Sequence, residues 1–123
     1  HAILRGYTNR HGVAMPNYRY EDLESLLHAY QARALANPAV IIDTNHANSG
    51  KRYLEQPRIC KEVLHSCRHS EHIRSMVKGF MIESYLEGGC QKIGEGVYGK
   101  SITDPCIGWE DTERLVQDIA EWI

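Results

Sequence analysis

Three side chains of the kinds that bind divalent metal ions follow strand-like apolar runs or lie in a loop nearby. His46 comes soon after the run at residues 39–42, Glu83 comes directly after the run at residues 77–82, and Asp104 lies in a later loop. One imidazole and two carboxylates suit an ion of the Mn, Fe, Co or Zn type. In parallel α/β folds such strand ends meet at one edge. A shared metal site is therefore one interpretation, and separate roles in capping helices or facing solvent are the other.

Two basic residues lie near the same strand ends. Arg5 follows the apolar run at residues 2–4 and precedes Gly6. An arginine in this position can offer two parallel hydrogen bonds to a phosphate or a carboxylate, although a local surface salt bridge would fit as well. Lys51 follows the polar segment that contains His46 and is a candidate for the same site, where it would neutralise a carboxylate or have no role.

Alternating strand and helix patterns have to position these residues. The apolar runs predict strands near residues 2–5, 39–44 and 78–83, and helical spacing predicts helices near residues 20–36, near 59–67 with Pro57 in the first turn, and from 109 to the end. Such repeats favour an α/β fold with adjacent parallel strands and right-handed crossovers. Three units are too few for a closed barrel, so the pattern predicts part of a (β/α)8 barrel or a small open sheet.

Size and composition narrow the function classes. The 123 residues allow one domain, and 14 basic against 16 acidic residues give no general electrostatic reason to bind nucleic acid or a membrane surface. The four cysteines include no CxxC pair, which favours a reduced, cytoplasmic setting. The chain opens inside a strand pattern and stops inside a helix pattern, so we expect residues 1–123 to be a single partial domain of a longer protein.

A second group of metal-binding residue types lies closer together in the sequence but is a poorer candidate for a metal site. His65, Cys67, His69 and His72 lie within eight positions of one another. They straddle the predicted end of a helix and lack a second cysteine pair, which structural zinc sites usually have. We therefore expect no metal there.

Five motifs in order closely resemble the C-terminal part of the type I 3-deoxy-D-arabino-heptulosonate 7-phosphate synthases. They are HAILRG at residues 1–6, DTNHANS at 43–49, FMIES at 80–84, YGKSITD at 98–104 and CIGWEDT at 106–112. The resemblance covers nearly the whole chain. The related 3-deoxy-D-manno-octulosonate 8-phosphate synthases share the fold of that family but lack the YGKSITD and CIGWEDT block, and another metal-dependent aldolase on the same barrel is a weaker alternative.

The resemblance implies a fold and a reaction. It implies the last three βα units of a (β/α)8 TIM barrel, with parallel strands and outer helices, in an oligomeric enzyme that condenses phosphoenolpyruvate with erythrose 4-phosphate. It further implies that His46, Glu83 and Asp104 bind the metal, that Arg5 contacts phosphoenolpyruvate, and that the metal acts as a Lewis acid on the aldehyde. We assign catalytic roles to His46, as a neutral imidazole ligand, and to Lys51.

The chain also departs from the family pattern. Thr44 and Asn45 stand where the family more often has a pair such as Phe-Ser, a difference that concerns the groups around the metal and leaves the ligand His46 in place. The family's fourth metal ligand, a cysteine of an early strand, has no counterpart here, and most of its substrate-binding Arg and Lys residues precede this segment. A non-catalytic folding or assembly fragment, inactive without the remainder of the barrel, is therefore the second hypothesis.

Overall fold

The computed structural model describes residues 1–123 and contains seven strands and five helices. In chain order they are β1 (Ala2–Leu4), β2 (Tyr7–Thr8), β3 (Ala14–Met15), α1 (Tyr20–Arg33), β4 (Val40–Asp43), α2 (His46–Ser49), α3 (Gln56–His69), α4 (Glu71–Met76), β5 (Val77–Met81), β6 (Glu87–Cys90), β7 (Lys100–Ser101) and α5 (Trp109–Trp122). A short 3-10 helix at Tyr53–Glu55 precedes α3.

The central sheet consists of three parallel strands in the order β1, β4, β5. Leu4 pairs with Ile42, and Ile42 pairs with Phe80, so the three strands run side by side with their carboxyl ends at one edge. The predicted α/β class with adjacent parallel strands is confirmed. Both outer strands, β1 and β5, have one edge without a neighbouring strand.

The helices cover one face of this sheet. Val40 and Ile42 of β4 are fully buried in a core cluster with residues of α1, α3 and α4, because alternate side chains of a strand point to the same face. On the opposite face Ile3 is 47% exposed and Met81 is 41% exposed. The sheet therefore has one packed face and one face that no other element of the chain covers.

The helix boundaries follow local sequence rules. Helix α1 ends at Arg33, three residues before the predicted end near residue 36, and Ala34 after it takes up the left-handed conformation (φ 49°). Pro57 lies in the first turn of α3 as predicted, where its missing N–H is not needed. Helix α4 was not predicted; the Ser70 hydroxyl caps it by accepting a hydrogen bond from Ile73 N. None of the helices combines the length and the apolar character that a membrane-spanning segment requires.

Two segments outside the predicted strands and helices contain short strands. The antiparallel pair β2–β3 follows β1, and the parallel pair β6–β7 lies within the glycine-rich segment before α5. Gly6 joins β1 to β2 with φ +75°, and a Cβ there would lie 2.6 Å from Asn48 N and 2.8 Å from Met15 O. Only glycine lets the backbone pass this closely over the polar end of the sheet.

Replacing Gly6 tests this close approach. We expect Gly6→Ala to lower the free energy of unfolding by about 3 kcal/mol or more, since the backbone strain and the clash with main-chain atoms add. Urea unfolding followed by circular dichroism measures the loss. Gly12→Ala is the matched control, because Gly12 has nearly the same φ of +77° but no atom within 4 Å of the added Cβ; it should cost about 1 kcal/mol. Equal losses for the two variants would contradict the role of the contact.

Candidate metal centre

The turn after β4 carries the first residue of the centre. Asp43, Thr44 and Asn45 are buried, and His46 follows them with a positive φ of 46°. A non-glycine residue in this conformation is uncommon and costs energy, so surrounding bonds must hold it. The Asp43 carboxylate accepts a hydrogen bond from Asn45 N (2.9 Å), and His46 O accepts one from Lys51 N (2.8 Å).

The imidazole of His46 is oriented by the same aspartate. Its Nδ1 lies 2.8 Å from Asp43 Oδ2, and the Asp43 side chain is almost fully buried. A carboxylate accepts hydrogen bonds, so this contact places the imidazole proton on Nδ1 and leaves the lone pair of Nε2 free to bind a cation. Metal-binding histidines commonly have such a carboxylate on the other ring nitrogen.

Two carboxylates face the free nitrogen. His46 Nε2 lies 3.2 Å from Asp104 Oδ2 and 3.8 Å from Glu83 Oε1, and one ligand atom from each of the three residues lies within 4.8 Å of the others. Ligands at about 2.0–2.2 Å from one ion are separated from each other by roughly 3–4 Å. One imidazole nitrogen and two carboxylate oxygens that converge in this way form a donor set that fits a divalent ion.

Lys51 contacts this group from the solvent side. Its Nζ donates a hydrogen bond to Asp104 Oδ1 at 3.2 Å, although the lysine side chain is 64% exposed. This hydrogen bond, and after it the lysine charge, hold the pKa of Asp104 below its usual range. Asp104 therefore stays ionised to a lower pH than an ordinary aspartate does.

Buried amides hold the backbone beside the two carboxylates. Gln56, which is fully buried, accepts a hydrogen bond from Glu83 N and donates one to Glu83 O, both at 2.9 Å. Asn45 donates from Nδ2 to the carbonyl of Pro105, the residue after Asp104, at 3.1 Å. Thr44 and Asn45 are the two departures from the family pattern, and each makes a different contact. Thr44 Oγ1 donates a hydrogen bond to Gln56 Oε1 at 2.9 Å, whereas Asn45, at the start of α2, bonds to the loop that contains Asp104.

An open cavity of about 470 Å³ adjoins the centre. Arg5, Lys51 and His46 are among its lining residues, so both predicted basic residues lie beside the predicted ligand. Asn48 fixes the chain near Arg5, because its Nδ2 donates to Leu4 O and its backbone N donates to Arg5 O. The cavity therefore has two positively charged side chains in its lining, beside one of the three predicted metal ligands.

The other metal-binding residue types do not form a cluster. His46, Glu83 and Asp104 are the only group of three or more such residues whose ligand atoms come together. Cys67 is buried, which raises the pKa of its thiol, and His69 packs edge-on against Tyr20. Cys106 lies 3.9 Å from Glu83 Oε2, and burial followed by the two carboxylates raises the pKa of its thiol as well.

Sequence reasoning missed the residues that hold the ligands. The sequence pattern assigns no role to Asp43, although a carboxylate near a metal-binding histidine commonly orients its imidazole. Gln56 carried no such sign, because its partner Glu83 is 27 positions away and only the packing of α3 against β5 brings them together.

The chain matches a known family over almost its full length. The family model described as the DAHP synthetase I family matches residues 1–117. A phospho-2-dehydro-3-deoxyheptonate aldolase of Haemophilus influenzae is 40% identical over 124 residues, which cover 98% of this chain and 32% of that protein. A Trp-sensitive phospho-2-dehydro-3-deoxyheptonate aldolase of Escherichia coli is 36% identical, with the same coverage.

A solved structure agrees with these matches. Phospho-2-dehydro-3-deoxyheptonate aldolase from Francisella tularensis superimposes with a TM-score of 0.84 at 31% sequence identity, covering 98% of this chain and 33% of that one. The chain thus spans about a third of the length of the relatives it matches.

Removal of the lysine charge tests the electrostatics of the centre. We expect Lys51→Met to raise the pKa of Asp104 towards its usual range, measured by NMR titration of the Asp104 carboxyl carbon in chelator-treated protein. Because the folded-state pKa lies below the unfolded value, the associated stabilisation is present above the unfolded pKa and is lost as the pH falls through the folded pKa. Lys61→Met, which removes a similar contact to Asp118 on α5, is the control and should leave Asp104 unchanged. An unchanged Asp104 in Lys51→Met would contradict the assignment.

Proposed function

The chain belongs to the DAHP synthetase I family, and from that premise we propose that it supplies the metal-binding third of a shikimate-pathway synthase. That enzyme condenses phosphoenolpyruvate with erythrose 4-phosphate and consumes one water to give 3-deoxy-D-arabino-heptulosonate 7-phosphate and phosphate. The observation that carries the proposal is the convergence of His46, Glu83 and Asp104 at the carboxyl ends of parallel strands, beside a cavity with two basic side chains.

The same proposal places the three βα units last in a (β/α)8 barrel. In such a barrel the inner face of each strand packs against the other strands, and the outer face packs against helices. The helix-covered face of the sheet and the exposed Ile3 and Met81 on the other face fit this arrangement. The free edges of β1 and β5 are where the remaining strands would pair, so the remainder of the barrel is the first expected partner and a homo-oligomer is the second.

His46, Glu83 and Asp104 would hold a divalent ion of the Mn, Fe, Co or Zn type. Asp43 keeps His46 in the tautomer that binds through Nε2, and the two carboxylates retain the cation by charge. When bound, such an ion supplies Lewis acidity that polarises the aldehyde oxygen of erythrose 4-phosphate, so that the enol carbon of phosphoenolpyruvate can attack.

Arg5 and Lys51 would attract the anionic substrate, and Arg5 would also orient it. Arg5 is exposed at the cavity, where its guanidinium can hold the anionic end of phosphoenolpyruvate by two parallel hydrogen bonds. Lys51 lowers the pKa of Asp104 through its contact at 3.2 Å and adds positive charge on the side from which an anion arrives. The four free cysteines fit the reduced, cytoplasmic setting expected for the enzyme.

The second hypothesis concerns this chain by itself. The chain covers about a third of its relatives, and it contains neither an early cysteine ligand nor the further Arg and Lys residues that the family resemblance implies. Orientation of two reactants can supply roughly 7–11 kcal/mol of a barrier, and much of that depends on such anion-binding residues. We therefore infer that the chain is inactive without the remainder of the barrel.

Metal binding by the chain tests the site. We expect His46→Ala, Glu83→Ala and Asp104→Asn each to weaken Mn²⁺ binding by at least about tenfold, since even partners outside the ligand set commonly contribute 10–100-fold. Loss of the electron paramagnetic resonance signal of free Mn²⁺ measures binding. Asp118→Asn is the control, because Asp118 is a carboxylate of α5 paired with Lys61 and outside the ligand cluster. Full affinity in any of the three ligand variants would exclude that residue.

Activity separates the enzyme from the fragment hypothesis. We expect no phosphate release from phosphoenolpyruvate and erythrose 4-phosphate by the 123-residue chain, because most substrate contacts are missing. A chimaera in which this chain replaces the matching third of the Haemophilus influenzae relative should release phosphate, and its Asp104→Asn variant is the inactive control. Turnover by the chain alone would refute its inferred inactivity. A chimaera that accepts only arabinose 5-phosphate would favour another aldolase of the same fold.

A further inference from the structure

Gln56 occupies an unusual place for a polar side chain. It is the first residue of α3, it is fully buried, and its side chain reaches across to the end of β5. Its Oε1 accepts a hydrogen bond from Glu83 N and its Nε2 donates one to Glu83 O, each at 2.9 Å. This pairing fixes which end of the amide is oxygen, because the peptide N–H requires an acceptor and the carbonyl requires a donor.

The backbone is the main support of the Glu83 carboxylate. Glu83 follows the last residue of β5, Met81, by two positions, so it lies beyond the paired part of the sheet. Its carboxylate makes only long contacts, 3.8 Å to His46 and 3.9 Å to the thiol of Cys106. Its backbone N–H has Gln56 as its partner, and its carbonyl is shared by Gln56 and the N–H of Ile107. The position of the carboxylate is therefore set mainly by what holds its peptide groups.

We propose that Gln56 is a positioning residue of the metal centre, which acts through the peptide groups of Glu83 and sets the distance of that carboxylate from His46. The inference rests on the proposed function, since it needs a cation held by these residues. Nothing on Gln56 itself reaches the ion. The alternative is that the buried amide only satisfies the polar end of the strand and contributes to stability like any other buried hydrogen-bonding group.

Mn²⁺ affinity of the 123-residue chain distinguishes a positioning role from a structural one. Gln56→Met keeps the volume and removes both hydrogen bonds to Glu83. We expect it to weaken Mn²⁺ binding about tenfold or more, as the loss of groups that orient metal ligands usually does. Val63→Ala is the matched control: Val63 is fully buried two helical turns further along α3, in the apolar core cluster. It should lower the unfolding free energy and leave Mn²⁺ affinity within about threefold of the unchanged chain.

A double-mutant cycle measures whether the effect of Gln56→Met on Mn²⁺ affinity depends on Glu83, which a general loss of stability would not cause. In the Glu83→Ala background there is no carboxylate to position, so Gln56→Met should change Mn²⁺ affinity by less than about threefold. An equal loss in both backgrounds would overturn the inference, because the effect would then not pass through Glu83. If Gln56→Met does not fold by circular dichroism, Gln56→Asn, whose amide is one methylene too short to reach Glu83, decides the question in the same two backgrounds.

The outcomes separate this inference from the proposed function. If the unchanged chain does not bind Mn²⁺, or Glu83→Ala binds it equally well, the proposed metal site is wrong and the role of Gln56 falls with it. If the unchanged chain binds and Glu83→Ala weakens binding, but Gln56→Met behaves like Val63→Ala, only the positioning role is wrong. A tenfold loss in Gln56→Met that disappears in the Glu83→Ala background supports both.

Discussion

The structure depends on how hydrogen bonds are completed where three parallel strands end. Beyond β1, β4 and β5 the ladder stops, yet the backbone there is still covered by loops and by α2 and α3, so its polar groups cannot all reach water. Buried amide side chains supply the missing hydrogen-bond partners. Asn48 donates to the carbonyls of Leu4 and Asp43, and Gln56 bonds to both the N–H and the carbonyl of Glu83. No buried side-chain nitrogen or oxygen in the chain is left without a partner.

Similar hydrogen bonds shape the candidate site. In the turn after β4, where His46 has a positive φ, the Asp43 carboxylate accepts from Asn45 N and His46 O accepts from Lys51 N. Gln56 and Asn45 bond to the backbone beside the two carboxylates that lie within 4 Å of the imidazole. Like charges that converge in this way oppose folding unless a cation offsets them, and Lys51 offsets only Asp104 directly. A bound divalent ion would therefore both perform chemistry and stabilise the fold, since binding to the folded state alone shifts the folding equilibrium.

The uncovered parts of the sheet agree with the place of the chain in its family. A sheet with helices on one face only, and with strand edges free on both sides, buries little of its second face. Free edges readily pair with other strands, and in most proteins they are covered or paired. The chain spans about a third of its relatives, which is consistent with the proposal that further strands of such a protein cover both features.

The sequence by itself determined the class of fold, the three parallel strands and the family. Apolar runs such as residues 39–42 and helical spacing such as that of α5 are local patterns, and the motifs that carry the family are contiguous. It also singled out His46, Glu83, Asp104 and Arg5, because residue types, positions after strands or in a nearby loop, and the contiguous family motifs are readable from the chain. Only the tertiary structure decided which groups support them. The bond from Asp43 to His46 depends on the geometry of a turn. Gln56 and Asn45 bond to partners 27 and 60 positions away in the chain. No local sequence pattern indicates which residues so far apart in the chain will meet in space.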